Sequence, residues 1–306
     1  MSIVPSSDDQ AIEVAGLHMS YGTHEVLHGL DLTVRRGEIF AVLGPNGAGK
    51  TTTIEILEGF RTRSAGRVQV LGVDPERATA AWRERVGVVL QSSTPEPDLS
   101  VSETLTLYAG YYARPVPISR LLELCGLSDQ AAMRNRRLSG GQQRRLDVAL
   151  ALVGNPELLF LDEPTTGFDP AARHAAWEMV AGLKELGTTI VLTTHYLEEA
   201  EFLADRIAVI DQGHIVAEGT PHDLGGRDLA PTTISFRATA GDRAWPLLGA
   251  ATQGDRVRMV THQPTEDLSR LTSWALAEGI ELVDLDVRRP SLEDTYLELT
   301  KGSVLA

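Results

Sequence analysis

From Ala11 onward the chain reads as short apolar runs punctuated by glycine, proline and charge. AIEVAGLHMSY (11–21) and VLHGLDLTV (26–34) alternate or cluster their apolar positions, and a turn-like Arg36-Gly37 follows the second, so both predict strands. EIFAVLG (38–44) differs: five apolar residues in a row stop at glycine, the pattern of a parallel strand covered on both faces. A glycine-rich stretch follows, and TTTIEILEGF then sets Ile54, Leu57 and Phe60 at helical spacing. The order strand, glycine loop, helix therefore stands before any motif is considered.

Further strands are expected at 67–73 and 85–91, separated by a helix opening at Asp74-Pro75. Residues 98–136 change to helical character, with Ser100 and Glu103 as a capping-box pair and a second helix over Ile118 to Cys125. LLFLD (158–162), TTIVLTT (188–194) and RIAVID (206–211) return to strand. The last runs through Gln212-Gly213 into HIVAEG as a hairpin. Pro221, Gly225, Gly226 and Pro231 then mark a break. Beyond it, TISFRAT, RVRMVTH and ELVDLDV alternate with helical stretches at 242–250, 265–278 and 291–300, which predicts a small α+β unit over 223–306. Residues 1–10, polar and carrying Pro5, are expected to be flexible.

Composition narrows the function classes. With 306 residues, one large domain or two are expected. A net charge of −14 argues against a nucleic-acid binder that relies on bulk positive field, so no nucleic-acid partner is expected. The longest apolar run is Val148 to Val153, too short to span a bilayer, and MSIVPSSDDQ lacks the features of a signal peptide. Cys125, alone, allows neither an internal disulfide nor a cysteine-rich metal site, which suits a reducing, cytoplasmic setting. Of the cations, 25 are Arg and only Lys50, Lys184 and Lys301 are Lys, so a lysine at position 50 needs a reason.

Gly44-Pro45-Asn46-Gly47-Ala48-Gly49-Lys50-Thr51, with Thr52 beside it, supplies one. The segment fits G-x-x-x-x-G-K-[ST]: a backbone bent at glycine turns N–H groups toward phosphate oxygens, and the following helix adds its positive end. Lys50 would reach the β- and γ-phosphates of ATP and the Thr51 hydroxyl would ligate Mg²⁺. LLFLD ends in Asp162 and Glu163. Alone this is a strand meeting a solvated loop, but downstream of a phosphate loop Asp162 can hold Mg²⁺ and Glu163 can act as general base. Leu138-Ser139-Gly140-Gly141-Gln142 is a hydroxyl-bearing, glycine-rich turn opening a helix, either a plain cap or a second anion-facing helix end. Arg134, Arg136, Arg137, Arg144 and Arg145 flank it as the one basic patch of note, for which an anion-facing role suffices.

Taken in order, GPNGAGKT, LSGGQ and LLFLDEP over about residues 10–220 resemble the nucleotide-binding domain of ABC-type ATPases. The resemblance implies a P-loop NTPase core over 11–222, of α/β class, with a mostly parallel sheet, an antiparallel β subdomain and a helical subdomain at about 92–150. It implies that Tyr21 stacks on adenine, that Gln91 senses Mg²⁺ and the attacking water, that Asp169 crosses a dimer interface, and that His195 contacts the γ-phosphate. Ser139, Gly140, Gly141 and Gln142 would act on the ATP of a second copy, so that two domains close on two nucleotides as a homodimer. Phe168 stands where the family commonly has Leu, which bears only on the geometry of that interface. RRPSLEDTYLELTKG resembles the ending of drug-export ATPases of the daunorubicin-resistance type, implying an ABC-2 permease partner at the cytoplasmic face of a membrane. A soluble ABC ATPase and an import ATPase remain the alternatives. One nucleotide-binding domain without a heptad run weighs against the first, and a short α+β extension against the second.

Overall fold

The computed structural model describes residues 9–89, 95–237 and 250–301. Its chain opens with β1 (Gln10–Tyr21) and β2 (His24–Arg35), paired antiparallel with register shifts such as that between Val14 and Leu17. Those shifts explain why the sequence clusters its apolar residues there instead of alternating strictly. Of the segment 1–10 expected to be flexible, Gln10 joins this sheet and Asp9 is bonded beside it. The Arg36 N–H donates to the Asp9 carbonyl (2.9 Å) and Gln10 pairs with Arg35; residues 1–8 lie outside the described residues.

β3 (Ile39–Leu43) is buried at all five positions and leads through the glycine loop to α1 (Lys50–Leu57). Phe60, expected on the apolar face of this helix, falls beyond its end and is 67% exposed. β4 (Ala65–Val70) returns to β1, completing a three-stranded antiparallel sheet of order β2-β1-β4. The helix expected from Asp74 is two pieces, a 3-10 turn at Pro75–Arg77 and the four-residue α2 (Ala80–Arg83). Two caps divide it. Asp74 accepts from the Glu76 N–H while bidentately paired with Arg63, and the Thr79 hydroxyl starts again by accepting from the Trp82 N–H.

After β5 (Val86–Val89) come α3 (Val101–Ala109), α4 (Ile118–Leu124) and α5 (Gly140–Leu152), linked by 3-10 turns at Ser128–Gln130 and Asn135–Arg137. Ser100 and Glu103 form the expected reciprocal cap of α3. The chain continues through β6 (Leu158–Asp162), α6 (Pro170–Glu185), β7 (Thr189–Thr193), α7 (Leu197–Leu203), β8 (Arg206–Asp211) and β9 (His214–Gly219). The second sheet has the order β5-β6-β7-β3-β8-β9, parallel except for the β8–β9 hairpin. Because β6, β7 and β3 are neighbours, the loops leaving their carboxyl ends emerge side by side. Phe40, Val42 and Phe160 of this sheet, Leu57 of α1 and Ile12, Leu27 and Val70 of the antiparallel sheet share one buried core.

The chain forms two compact units, the second spanning His222–Leu299. In it β10 (Thr232–Arg237), β11 (Ala251–Gln253), β12 (Arg256–Thr261) and β13 (Val283–Arg288) make an antiparallel sheet of order β11-β12-β10-β13, accompanied by α8 (Pro264–Glu278) and α9 (Leu292–Leu299). Ile234, Phe236, Val257 and Met259 bury one sheet face against Leu271 of α8. The expected helix at 242–250 lies, but for Ala250, outside the described residues.

Candidate functional site

The loop between β3 and α1 is shaped by close approach. A Cβ on Gly44 would sit 2.1 Å from the Ile210 carbonyl oxygen; Gly49 has φ 107° and its Cβ would meet Leu27 at 2.6 Å. A side chain at Gly44 would require the backbone to move, and one at Gly49 would meet the Leu27 side chain in a left-handed backbone that favours glycine. Ala48 is buried, its carbonyl accepting from Gly213 N–H (3.0 Å), whereas Asn46 and Gly47 stand exposed on the rim. Lys50 Nζ, 7% exposed as a residue, donates to the carbonyls of Gly44 (2.8 Å) and Pro45 (3.1 Å). Burial pulls its pKa down, opposed by the negative charges of Glu163 and Asp162.

These residues border a cleft of about 380 Å³ whose walls include Tyr21, Thr51, Thr52, Asp162 and Glu163. Tyr21 Oη lies 3.4 Å from Thr52 Oγ1, and the Arg61 guanidinium stands 5.1 Å from the centre of the tyrosine ring. The opposite wall is the end of β6. The Thr193 hydroxyl, from the neighbouring strand, donates to Asp162 Oδ1. The Glu163 N–H donates to Thr193 Oγ1 and to its carbonyl, both at 3.1 Å. Glu163 has φ 45°, a left-handed backbone that a non-glycine residue rarely adopts. Its carboxylate accepts from the Thr166 hydroxyl (3.1 Å) and lies 3.4 Å from His195 Nδ1, so the histidine that ends the β7 segment meets the cleft through Glu163.

Ser139, Gly140 and Gly141 lie elsewhere. With Phe168 and Asp169 they line a separate concavity of about 630 Å³, of which Glu163 is the shared border with the cleft. Ser139 N-caps α5: its hydroxyl accepts from Gln142 N–H (3.3 Å) and its own N–H donates to Gln142 Oε1 (2.9 Å). The Gln142 side chain is thus used in the cap and does not line the concavity. Asp169 caps α6 in the same way, accepting from Ala172 N–H (2.9 Å). Gln91 lies outside the described residues.

Of the arginines around this motif, Arg144 lines the same concavity as Ser139, Gly140 and Gly141, and others have partners within the chain. Arg144 turns inward and donates to the carbonyls of Asp162 (2.8 Å) and Pro164 (3.1 Å), tying α5 to the end of β6. Arg134 and Arg136 pair with Asp98, and Arg145 reaches the Gly126 carbonyl.

Glu199 and Glu58 are among the buried carboxylates that the sequence does not mark. Glu199 of α7 is fully buried, accepting on Oε1 from the hydroxyl of Thr165 (2.8 Å) and the indole N–H of Trp177 (2.9 Å), and burial raises its pKa. It joins the loop after Glu163 to the helix after His195. Glu58, at the end of α1, is pushed up to about 8 by burial first and then by Asp162 and Glu55. In the text Glu199 is one of an acidic run, LEEAE, which reads as a solvated helix face, so no linear signal marks it.

Residues 27–166 match the ABC transporter family, and residues 232–291 match the C-terminal domain of ABC transporter domain-containing proteins. The chain is 41% identical over 305 residues to the daunorubicin resistance ATP-binding protein DrrA3 of Streptomyces coeruleorubidus, covering 95% of this chain and 96% of that one. The chain belongs to the ABC transporter ATP-binding subunits. A Nod factor export ATP-binding protein I from Ralstonia nicotianae is 47% identical over 299 residues, with 94% and 93% of the two chains covered. Among solved structures, CbiO1 of Clostridium perfringens, part of an ABC transporter complex, superimposes with a TM-score of 0.65 at 28% identity over 70% of this chain and 90% of that one. The fold is accordingly the P-loop NTPase fold of ABC cassettes, and the protein is an ATP-binding ATPase whose hydrolysis is coupled to transport. Among the described residues no helix is long and apolar enough to cross a membrane.

Proposed function

We propose that this ABC ATPase powers an exporter of a drug-like or lipid-like compound, as a pair of identical chains docked on the cytoplasmic face of an ABC-2 type permease. The observation that carries the pairing is the division of the site. Lys50, Thr51, Asp162 and Glu163 border one cleft, while Ser139, Gly140, Gly141 and Asp169 border another concavity of the same chain. A second copy related by a two-fold axis would set its Ser139 turn against this chain's nucleotide, and the reverse. The names of the relatives, daunorubicin resistance and Nod factor export, support the direction of transport.

In this reading Lys50 exchanges the carbonyls of Gly44 and Pro45 for the β- and γ-phosphate oxygens, a change a compact ammonium makes without rebuilding the loop. Tyr21 stacks on the adenine ring; Asn46, Gly47, Ala48 and Gly49 turn their N–H groups to the phosphates. The donors fit Mg²⁺. Thr51 and Asp162 offer a hydroxyl and a carboxylate on one cleft, and phosphate oxygens and water would complete the shell. The ion, with Gln91 as a further ligand, would neutralise charge on the phosphates. Glu163 accepts a proton from water as its oxygen bonds to the γ-phosphorus and the bond to the bridging oxygen of ADP breaks. Thr193 and Thr166 hold Glu163 for that step, and His195 sits beside it to contact the γ-phosphate.

The permease surface in this proposal is a groove of about 390 Å³ where Phe60 and Tyr108, both exposed, stand beside Trp82 and Tyr112. Aromatic side chains flanking a concave apolar groove suit an amphipathic helix. Glu163→Gln is expected to keep ATP affinity within about threefold and to lose about 10²–10⁴ in turnover. Turnover unchanged from the parent would overturn the assignment of Glu163.

A further inference from the structure

The second unit carries a polar trough that the nucleotide chemistry does not use. Along β10, Thr233 and Ser235 point to the sheet face opposite Ile234 and Phe236, which are buried with α8. The register sets Ser235 against Arg258 on one side and Asp286 on the other, and Thr233 against Arg288. Arg256 lies two residues before Arg258 on the same face. Short hydroxyl side chains thus form a floor between taller arginines, and these six residues line a concavity of about 400 Å³.

Its charge is not balanced locally. Several arginines elsewhere in the chain pair closely: Arg63 with Asp74, Arg85 with Glu157, Arg237 with Asp284, Arg270 with Asp267. Of the three trough arginines, Arg288 has an ion pair, to Asp286 at 3.5 Å. Among the described residues neither Arg256 nor Arg258 has an ion-pair partner within 4.0 Å. Asp294 also feels two of these arginines, its pKa lowered first by the Ser291 N–H and only secondarily by Arg288 and Arg258. Three guanidinium groups against one carboxylate, gathered on one face of a unit in which acidic residues outnumber basic ones, leave a local positive excess. Like charges so placed repel, and a bound anion removes the repulsion.

We propose that this trough is a binding site for a phosphate group, held by the forked donors of Arg256, Arg258 and Arg288 with the hydroxyls of Thr233 and Ser235. A guanidinium presents parallel N–H groups that match two phosphate oxygens, and a hydroxyl on the floor completes a third direction. The size suits the headgroup of an anionic lipid or a small soluble phosphate ester. Both share that chemistry, and the site is independent of the cleft that binds ATP.

The test uses the full chain with ADP saturating the nucleotide cleft. One arm titrates glycerol phosphate by calorimetry; the other floats the protein with vesicles of phosphatidylcholine containing or lacking phosphatidylglycerol. The parent is expected to bind in at least one arm, free phosphate ester marking a soluble ligand and vesicles alone a lipid headgroup. Arg256→Gln with Arg258→Gln should weaken that binding by roughly tenfold or more, and Asp286→Asn should strengthen it. ATP affinity of each variant, expected to be unchanged, reports folding. Binding in neither arm, or binding unaltered by the double substitution, would overturn the proposal.

Discussion

The molecule holds anions, on this account, in two contrasting ways. At the β3–α1 loop the cation is a single lysine, 7% exposed and wrapped by backbone carbonyls, in a loop where even a methyl group on Gly44 or Gly49 would collide. In the second unit the cations are three arginines standing on an open sheet face over two hydroxyl residues. The first arrangement is built by consecutive residues, the second by register across three strands. Burial makes a site strict about which cation it accepts; exposure makes it depend on net charge.

The largest expected effect breaks the comparison where it is strictest. Lys50→Arg keeps the charge but brings a planar group into a space shaped for an ammonium, and ATP affinity should fall by about 100-fold, measured with a fluorescent ATP analogue. Near-parental affinity would show that the loop asks only for positive charge.

A buried carboxylate sharpens the same contrast. Glu58, pushed up to about 8, stays protonated in the folded chain over pH values at which the unfolded chain, near 4.5, ionises. The folded state then binds the extra proton, so stability falls as pH rises from about 4.5 to about 8 and the penalty is complete above that. Glu58→Gln should therefore gain little over the parent below pH 4.5 and gain progressively more as the pH rises toward 8, seen by urea denaturation. A gain independent of pH would contradict the raised value.

Next in size is the pair Glu199 and Asp286. Removing the acceptor of Thr165 and Trp177 with Glu199→Ala should cost about 2–3 kcal/mol of stability, against less than about 0.5 for Asp286→Asn on the open trough. Equal losses would erase the distinction between covered and open regions. The least effect is on salt response. Between 0.05 and 0.5 M NaCl, phosphate or vesicle binding by the trough should weaken by about tenfold while ATP affinity changes by less than about threefold. Parallel salt slopes would place both sites in the same class.

How much was readable beforehand follows from the same contrast. The five apolar residues before Gly44, the glycine spacing and the lone lysine lie on one stretch of chain, so the loop, its strand and its helix followed from local pattern. The Asp162-Glu163 pair and the capped turn at Ser139 were likewise consecutive residues. Thr193 could not be read, because its hydroxyl reaches Asp162 only when β7 lies beside β6. The bonds of Arg144 to the carbonyls of Asp162 and Pro164 were equally unreadable, because they need α5 to lie against the end of β6. The trough arginines, 30 residues apart between Arg258 and Arg288, become neighbours of one strand only through the pairing of β10 with both β12 and β13. The single helix expected after Asp74 failed because a second cap, at Thr79, interrupts it.

The central claim is that a nucleotide bound by one chain is completed by the Ser139 turn of another. Light scattering on Glu163→Gln with ATP, compared with the same chain also carrying Ser139→Arg, tests it most directly. Both should bind ATP with similar affinity; Glu163→Gln should double in mass on adding ATP, and the doubly substituted chain should stay at the mass of one copy. A doubly substituted chain that still dimerises with ATP, or one that loses ATP binding as a monomer, would contradict it.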